Sequence, residues 1–271
     1  MKGYGNMGKL EGKIGIVTGA AMGMGLGTTK AWLHEGAKVA LFDYNDKVFE
    51  AAKELEAEGY DVLPIKADIA DKSAVNKGVE KVIEKYGRID LLANIAGVIR
   101  IKTFAEMTDK ERDDHFITFN GAWNLCKAVV PHMIKNEYGR IVNMTSVTGI
   151  IVVDVGETAY GPAKAAMWGF TKALAIELAQ YGITVNGIAP GYVATPMQQQ
   201  IAKDSNAANP DAVTDATAAA TPLKRLADPY EVGQLAAFLV SNDAKYLTGT
   251  IVVIDGGSTL PETWGAVGGI Y

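Results

Sequence analysis

The chain has 271 residues, 48% of them hydrophobic and 21% charged. That suits one large domain with a single sizeable core and excludes a disordered chain. Its 26 Lys and Arg stand against 31 Asp and Glu, a net charge of −5 with no long basic run, which disfavours nucleic acid or an anionic membrane as partner.

No 18-residue apolar run occurs and Met1–Gly8 is not a signal peptide, so a cytoplasmic protein is expected. Cys126 is the one cysteine and reads as a core filler. His34, His115 and His132 are too scattered for a metal site, so no metal is expected.

Residues 1–9 read as an N-terminal arm. A β-branched run at Ile14–Thr18 predicts the first strand, and the glycines from Gly19 to Gly25 stop it before a helical pattern that ends near Gly36. Lys38–Asp43 predicts a second strand, residues 46–58 an amphipathic helix ending at Gly59, and Val62–Ile65 a third strand. A helix over 71–86, closed by Gly87, leads to a fourth strand at Ile89–Asn94. There follow a long helix from about Thr108 to Asn136, a strand at Arg140–Thr145, a helix from Thr158 to about Tyr181, a strand at Ile183–Ile188, a helix at Pro229–Ser241 and a strand at Thr250–Ile254. Strands that are continuously apolar and alternate with helices predict an α/β, single-domain, doubly wound Rossmann fold. Its seven-stranded parallel sheet carries helices on both faces. Residues 1–271 are expected to form this one domain. The least regular stretch, 197–221, is long enough for a substrate lid, and 258–271 reads as a C-terminal tail.

Between the first strand and first helix lies Thr18-Gly19-Ala20-Ala21-Met22-Gly23-Met24-Gly25. Glycines there permit a tight turn and let backbone N–H groups approach a pyrophosphate at the positive end of the helix. Asp43 ends the second strand, where a carboxylate accepts the adenosine ribose hydroxyls and repels a 2′-phosphate. The positions for a compensating cation carry Met22, Tyr44 and Asn45, so NAD is expected rather than NADP.

Tyr160 and Lys164 are four residues apart at a helix start, with Pro162 in the first turn. A cation beside a phenol lowers its pKa, as a general base near neutral pH requires. Ser146 follows the fifth strand at the sheet edge where ligands bind in such folds, and its hydroxyl can bond a substrate oxygen.

Taken together these residues resemble the short-chain dehydrogenase/reductase family from Leu10 to about Pro261. The motifs are TGAAMGMG at 18–25, Ala67-Asp68-Ile69, Asn94-Ile95-Ala96-Gly97, Asn120, Ser146, Tyr160 with Lys164, Pro190-Gly191-Tyr192-Val193-Ala194-Thr195, Leu247-Thr248-Gly249 and Asp255-Gly256-Gly257. Within the family, the runs SVTG, GETAY, PGYVATPM, RLADPYEVG and IDGGSTLPET look most similar to the UcpA-type group of oxidoreductases.

The resemblance implies that Asp68 and Ile69 flank the adenine, that Asn94, Ala96 and Gly97 lie beside the cofactor, and that Thr195 and the Pro190, Gly191 and Val193 segment hold the nicotinamide carboxamide. It implies that Lys164 also bonds the nicotinamide ribose. Asn120 is expected to kink the long helix and hold a water relaying the proton through Lys164. Ile95 stands where a second Asn is usual, and Ala163 where Ser is common.

The implied reaction interconverts a secondary alcohol and a ketone, Tyr160 moving the proton. Substrate would meet Val98, Ile99, Ile150–Val153, Tyr192 and Met197, an apolar wall with Arg100, Asp154 and Glu157 nearby. That wall suits a bulky alcohol such as a hydroxysteroid. The alternatives are a non-catalytic NADH-binding redox sensor and a reductase of small polar carbonyls or sugars. The family further implies a homotetramer or homodimer pairing the helices around 108–136 and 158–181. The apolar, glycine-rich tail Thr263–Tyr271 is expected either to cap a neighbour's active site or to pack on its own subunit.

Overall fold

A computed structural model describes residues 8–261. The expectations for most of the N-terminal arm and for the tail Thr263–Tyr271 lie outside the described residues. Seven parallel strands, β1 (Ile14–Thr18), β2 (Lys38–Asp43), β3 (Val62–Lys66), β4 (Leu91–Asn94), β5 (Gly139–Met144), β6 (Ile183–Pro190) and β7 (Ile251–Ile254), form one sheet in the order β3-β2-β1-β4-β5-β6-β7. Ile16 pairs with Ala40 of β2 on one side and with Leu92 of β4 on the other. The chain therefore leaves β1 in one direction across the sheet and β4 in the other, which opens a crevice at their carboxyl ends.

The described residues form eight α-helices, of which α1–α5 and α8 flank the sheet: α1 (Gly23–His34), α2 (Lys47–Ala57), α3 (Lys72–Tyr86), α4 (Asp109–Lys135), α5 (Tyr160–Leu178), α6 (Pro196–Ser205), α7 (Pro210–Ala220) and α8 (Pro229–Val240). Because successive strand side chains point to opposite faces, Val17, Leu41, Leu91 and Ala93 pack with Leu33, Leu55, Val232 and Leu239 of α1, α2 and α8. Ile16, Phe42, Leu92 and Ile141 pack with Val79, Leu125, Met133 and Met167 of α3, α4 and α5. Both faces are apolar, which is why the strands read as unbroken hydrophobic runs. Cys126 belongs to the second core, and burial pushes its thiol up to about 12. No helix among the described residues is long and apolar enough to cross a membrane.

Two stretches differ from expectation. β4 starts at Leu91 rather than Ile89 because Asp90 is spent otherwise: its carboxylate accepts from Ile14 N at 3.0 Å and pairs with Arg88. Residues 197–221 are mostly helical. Thr195 caps α6 by accepting from Gln198 N, and Asn209 caps α7 by accepting from Ala212 N. Pro196 and Pro210 occupy the first turn, where a missing N–H costs nothing.

Candidate functional site

The glycine loop after β1 is shaped by positions that accept no side chain. Gly19 and Gly23 have positive φ, and a Cβ on Gly25 would sit 1.9 Å from Gly19 O. Ala21, Met22 and Met24 fill the loop and the start of α1. The loop is anchored to Asp43, whose Oδ2 accepts from Ala21 N at 3.0 Å while Oδ1 accepts from Asn45 N at 2.9 Å. Each carboxylate oxygen keeps a free lone pair, and no ion pair reaches Asp43 among the described residues.

Thr18 ends β1 and ties it to β4: its hydroxyl accepts from Ile95 N at 2.9 Å and from Ala96 N at 3.1 Å. Ile95 itself is buried in the core, so packing replaces the polar side chain usual at that position. Across the crevice Thr195 lies 3.5 Å from where a Gly23 Cβ would be. Val193 is bridged to Ala227, a pairing that leaves its own buried N–H without a hydrogen bond among the described residues. Ile69 packs on Gly121 of α4, whereas Asp68 is exposed and caps its own turn by accepting from Ala70 N.

Ser146, Tyr160 and Lys164 line one cavity of about 60 Å³, together with Met24, Ile95, Gly97, Val98, Thr145, Pro190, Gly191 and Met197. Four contacts bring them there. Asn94 Nδ2 donates to Asn143 Oδ1 at 2.9 Å, and Asn143 Nδ2 donates to Thr171 Oγ1 at 3.0 Å, pinning α5 to β4 and β5. A Cβ on Gly149 would lie 2.1 Å from Gly161 O, so the loop after Ser146 sits directly on the start of α5. Lys164 Nζ, buried, donates to Met144 O at 3.1 Å, and lies 5.6 Å from the Tyr160 ring centre. Asn143 and Thr171 carried no sequence signal beyond being polar residues inside apolar elements.

Asn120 does not join this group. It is exposed on α4 and makes no side-chain hydrogen bond among the described residues. Residues two positions apart on a helix are rotated by about 200°, and Thr118 is the polar side chain turned inward. Thr118 is buried, its Oγ1 only 2.6 Å from where a Gly97 Cβ would be. His115, one turn earlier, is also buried, its ring edge-on to Tyr160 with centres 6.2 Å apart. Its Nδ1 lies 2.7 Å from Glu111 O and so carries the hydrogen, while Nε2 accepts from Arg100 N at 2.9 Å. It clamps the loop after β4 to α4.

The model described as Enoyl-(Acyl carrier protein) reductase matches residues 19–259. The oxidoreductase UcpA of Salmonella typhimurium is 51% identical over 258 residues, 95% of this chain and 98% of that one. The chain belongs to the short-chain dehydrogenase/reductase family. Among solved structures it is similar to levodione reductase, with a TM-score of 0.88 and 32% identity over 92% of this chain and 98% of that one. It also resembles L-sorbose reductase from Gluconobacter frateurii, solved with NADPH and L-sorbose: TM-score 0.88, 30% identity, 95% of this chain and 100% of that one.

Electrostatics at the cavity run against one expectation from the family's Tyr-x-x-x-Lys pair. The Tyr160 phenol is not lowered: burial pushes it up to about 12, the adjacent Ser146 hydroxyl pulls it down, and the charge of Glu157 raises it. Lys164 is in turn pulled down to about 8 by burial. Desolvation outweighs the pairing because both groups sit in low dielectric. A lysine lowered in the fold binds fewer protons there than in the unfolded chain, so stability rises as pH climbs from about 8 toward the ordinary lysine range. Lys164→Met should therefore stabilise the cofactor-free protein at pH 7 by roughly 1–3 kcal/mol in urea titrations, and should flatten that alkaline rise. A loss of stability at pH 7 would contradict the assignment.

Proposed function

We propose that the protein is an NAD(H)-dependent oxidoreductase that interconverts a secondary alcohol and a ketone. The observation that carries this reading is the convergence of Ser146, Tyr160 and Lys164 on one cavity at the carboxyl ends of β5 and β6, beside the glycine loop. A nicotinamide dinucleotide fits the residues present: Gly19, Gly23 and Gly25 leave backbone room for the pyrophosphate, Asp43 offers open lone pairs to the adenosine ribose, and Val193 offers a buried free N–H. When bound, the cofactor supplies hydride transfer and, in its oxidised form, a positive charge that favours the phenolate.

Tyr160 then gives a proton to the ketone oxygen or takes it from the alcohol, Ser146 orients that oxygen, and Lys164 holds the ribose. Thr18, Gly97, Pro190 and Thr195 shape the crevice, with Asp68 and Ile69 at its adenine end. Thr118 replaces Asn120 as the polar residue that α4 turns toward it. Because burial keeps the phenol protonated at neutral pH, reduction should hold through neutral pH and fall only in strong alkali, whereas oxidation gains as pH rises.

An apolar substrate body is favoured by Val98 and Met197 at the cavity and by a groove of about 460 Å³ along α7, lined by Tyr192, Ala212, Val213, Ala216 and Ala220 with the polar Asn206 and Thr217. That makes α6 and α7 the lid and a bulky alcohol such as a hydroxysteroid the best substrate class. In rates over a panel of secondary alcohols, NAD⁺ should outperform NADP⁺. Asp43→Ser should lower kcat/KM for NAD⁺ by about 10- to 100-fold while raising that for NADP⁺, since hydrogen bonds to a charged acceptor are lost. A wild type that prefers NADP⁺ would overturn the cofactor choice.

We also propose self-association through α4 and α5. Half-exposed Trp123 stacks with Phe119 and Phe170, and Ile176 is 83% exposed. Such a patch suits an interface between copies. Sedimentation should show a dimer or tetramer that Trp123→Glu with Ile176→Glu converts to monomer; a monomeric wild type would contradict this.

A further inference from the structure

The imidazole of His115 is buried between α4, the loop after β4 and the ring of Tyr160, and the proton transfer proposed above makes no use of it. Both ring nitrogens are committed. A backbone N–H only donates, so the 2.9 Å contact from Arg100 N makes Nε2 an acceptor, and the 2.7 Å contact to Glu111 O makes Nδ1 the donor. Flipping the ring would break both bonds, so its plane is fixed.

Two parts of the small cavity depend on that ring. The first is the wall made by Gly97 and Val98, in a stretch, 95–103, that no strand or helix holds. From 97 to 103 only the backbone N–H groups of Arg100 and Lys102 are hydrogen-bonded among the described residues, to His115 Nε2 and to Gly156 O. The same turn of α4 takes a second grip, since Glu111 accepts from Lys102 Nζ at 2.6 Å. The second part is Tyr160 itself. It is the first residue of α5, and Ala159 before it supplies no side-chain cap, so packing sets the direction of the phenol. The His115 ring stands at 69° to the Tyr160 ring with centres 6.2 Å apart, an edge-on arrangement in the range where aromatic pairs attract.

We propose that His115 is a positioning residue: its ring aims the Tyr160 phenol, and its Nε2 holds the Gly97–Val98 wall against which the substrate lies. This rests on the oxidoreductase reading above and adds to it the side chain that joins the proton donor to the substrate wall.

Two substitutions separate the two tasks. His115→Phe keeps a ring beside Tyr160 and removes the acceptor for Arg100 N, whereas His115→Gln removes the ring and keeps an amide oxygen of similar reach. The probe is the ketone of whichever panel alcohol the wild type oxidises fastest, with NADH saturating and the full-length protein. His115→Phe should raise the ketone KM about 2- to 12-fold with kcat unchanged, the scale of one lost hydrogen bond. His115→Gln should leave KM unchanged and lower kcat about 2- to 12-fold, the scale of one lost aromatic pair. A merely structural residue would lower the melting temperature of both variants and move KM and kcat together or not at all, and that result overturns the proposal. In the wild type, ¹H–¹⁵N NMR at neutral pH should find the His115 hydrogen on Nδ1 and Nε2 bare; the reverse tautomer overturns the proposal even if neither variant folds. A wild type that turns over no alcohol of the panel overturns the oxidoreductase reading and this role with it, whereas an active enzyme without the division between KM and kcat overturns the role alone.

Discussion

The hydroxyl of Thr18 holds the site together. It accepts from two successive backbone N–H groups beyond β4, so the ends of β1 and β4 cannot part at the point where the sheet order reverses. Everything else is placed relative to that stitch. The glycine loop leaves directly after Thr18, and Ile95 and Gly97, which line the Tyr160 cavity, lie directly after β4. The amide ladder Asn94–Asn143–Thr171 carries the same register across β5 to α5. Its members are buried, where polar bonds are strong and specific in geometry, and Asn94 Oδ1 alone among their side-chain atoms has no partner among the described residues.

Burial is the second constraint, and it sets the chemistry. A phenol and an ammonium placed in water one helical turn apart would assist each other. Burial shifts both toward their neutral forms instead. The resting site thus holds a protonated Tyr160, suited to donating to a carbonyl oxygen. On the proposed reading, the positive charge of the oxidised cofactor would favour the phenolate and so let Tyr160 act as a base. The charge of Glu157 raises the phenol in the same direction.

Much of this was legible in the sequence. Unbroken apolar runs between helical stretches gave the parallel sheet, because strands covered on both faces have no polar side to show. Gly19, Gly23, Gly25 and Asp43 were readable since a close backbone approach and a strand-end carboxylate demand those residue types. Ser146, Tyr160 and Lys164 do meet, as their order implied. What failed was rotational: the family resemblance points to Asn120, but in the folded α4 that residue faces out and Thr118 faces in. His115 looked like a stray histidine until α4 turned it against Tyr160. The helices in 197–221 had signals in Thr195-Pro196 and Asn209-Pro210, masked by a composition rich in Ala, Asn, Asp and Thr. Desolvation is equally invisible in a spacing, and it reverses the direction of the Tyr160 shift that the Tyr-x-x-x-Lys pair implies.

The central claim is that Tyr160 moves the proton in a cavity that binds the dinucleotide without its help. It is tested most directly by Tyr160→Phe, with NADH affinity measured by calorimetry and turnover measured on the same preparation. The account predicts loss of turnover by about 10²-fold or more, the range of general acid–base catalysis, with NADH affinity nearly unchanged. Turnover retained in a variant that still binds NADH would contradict it.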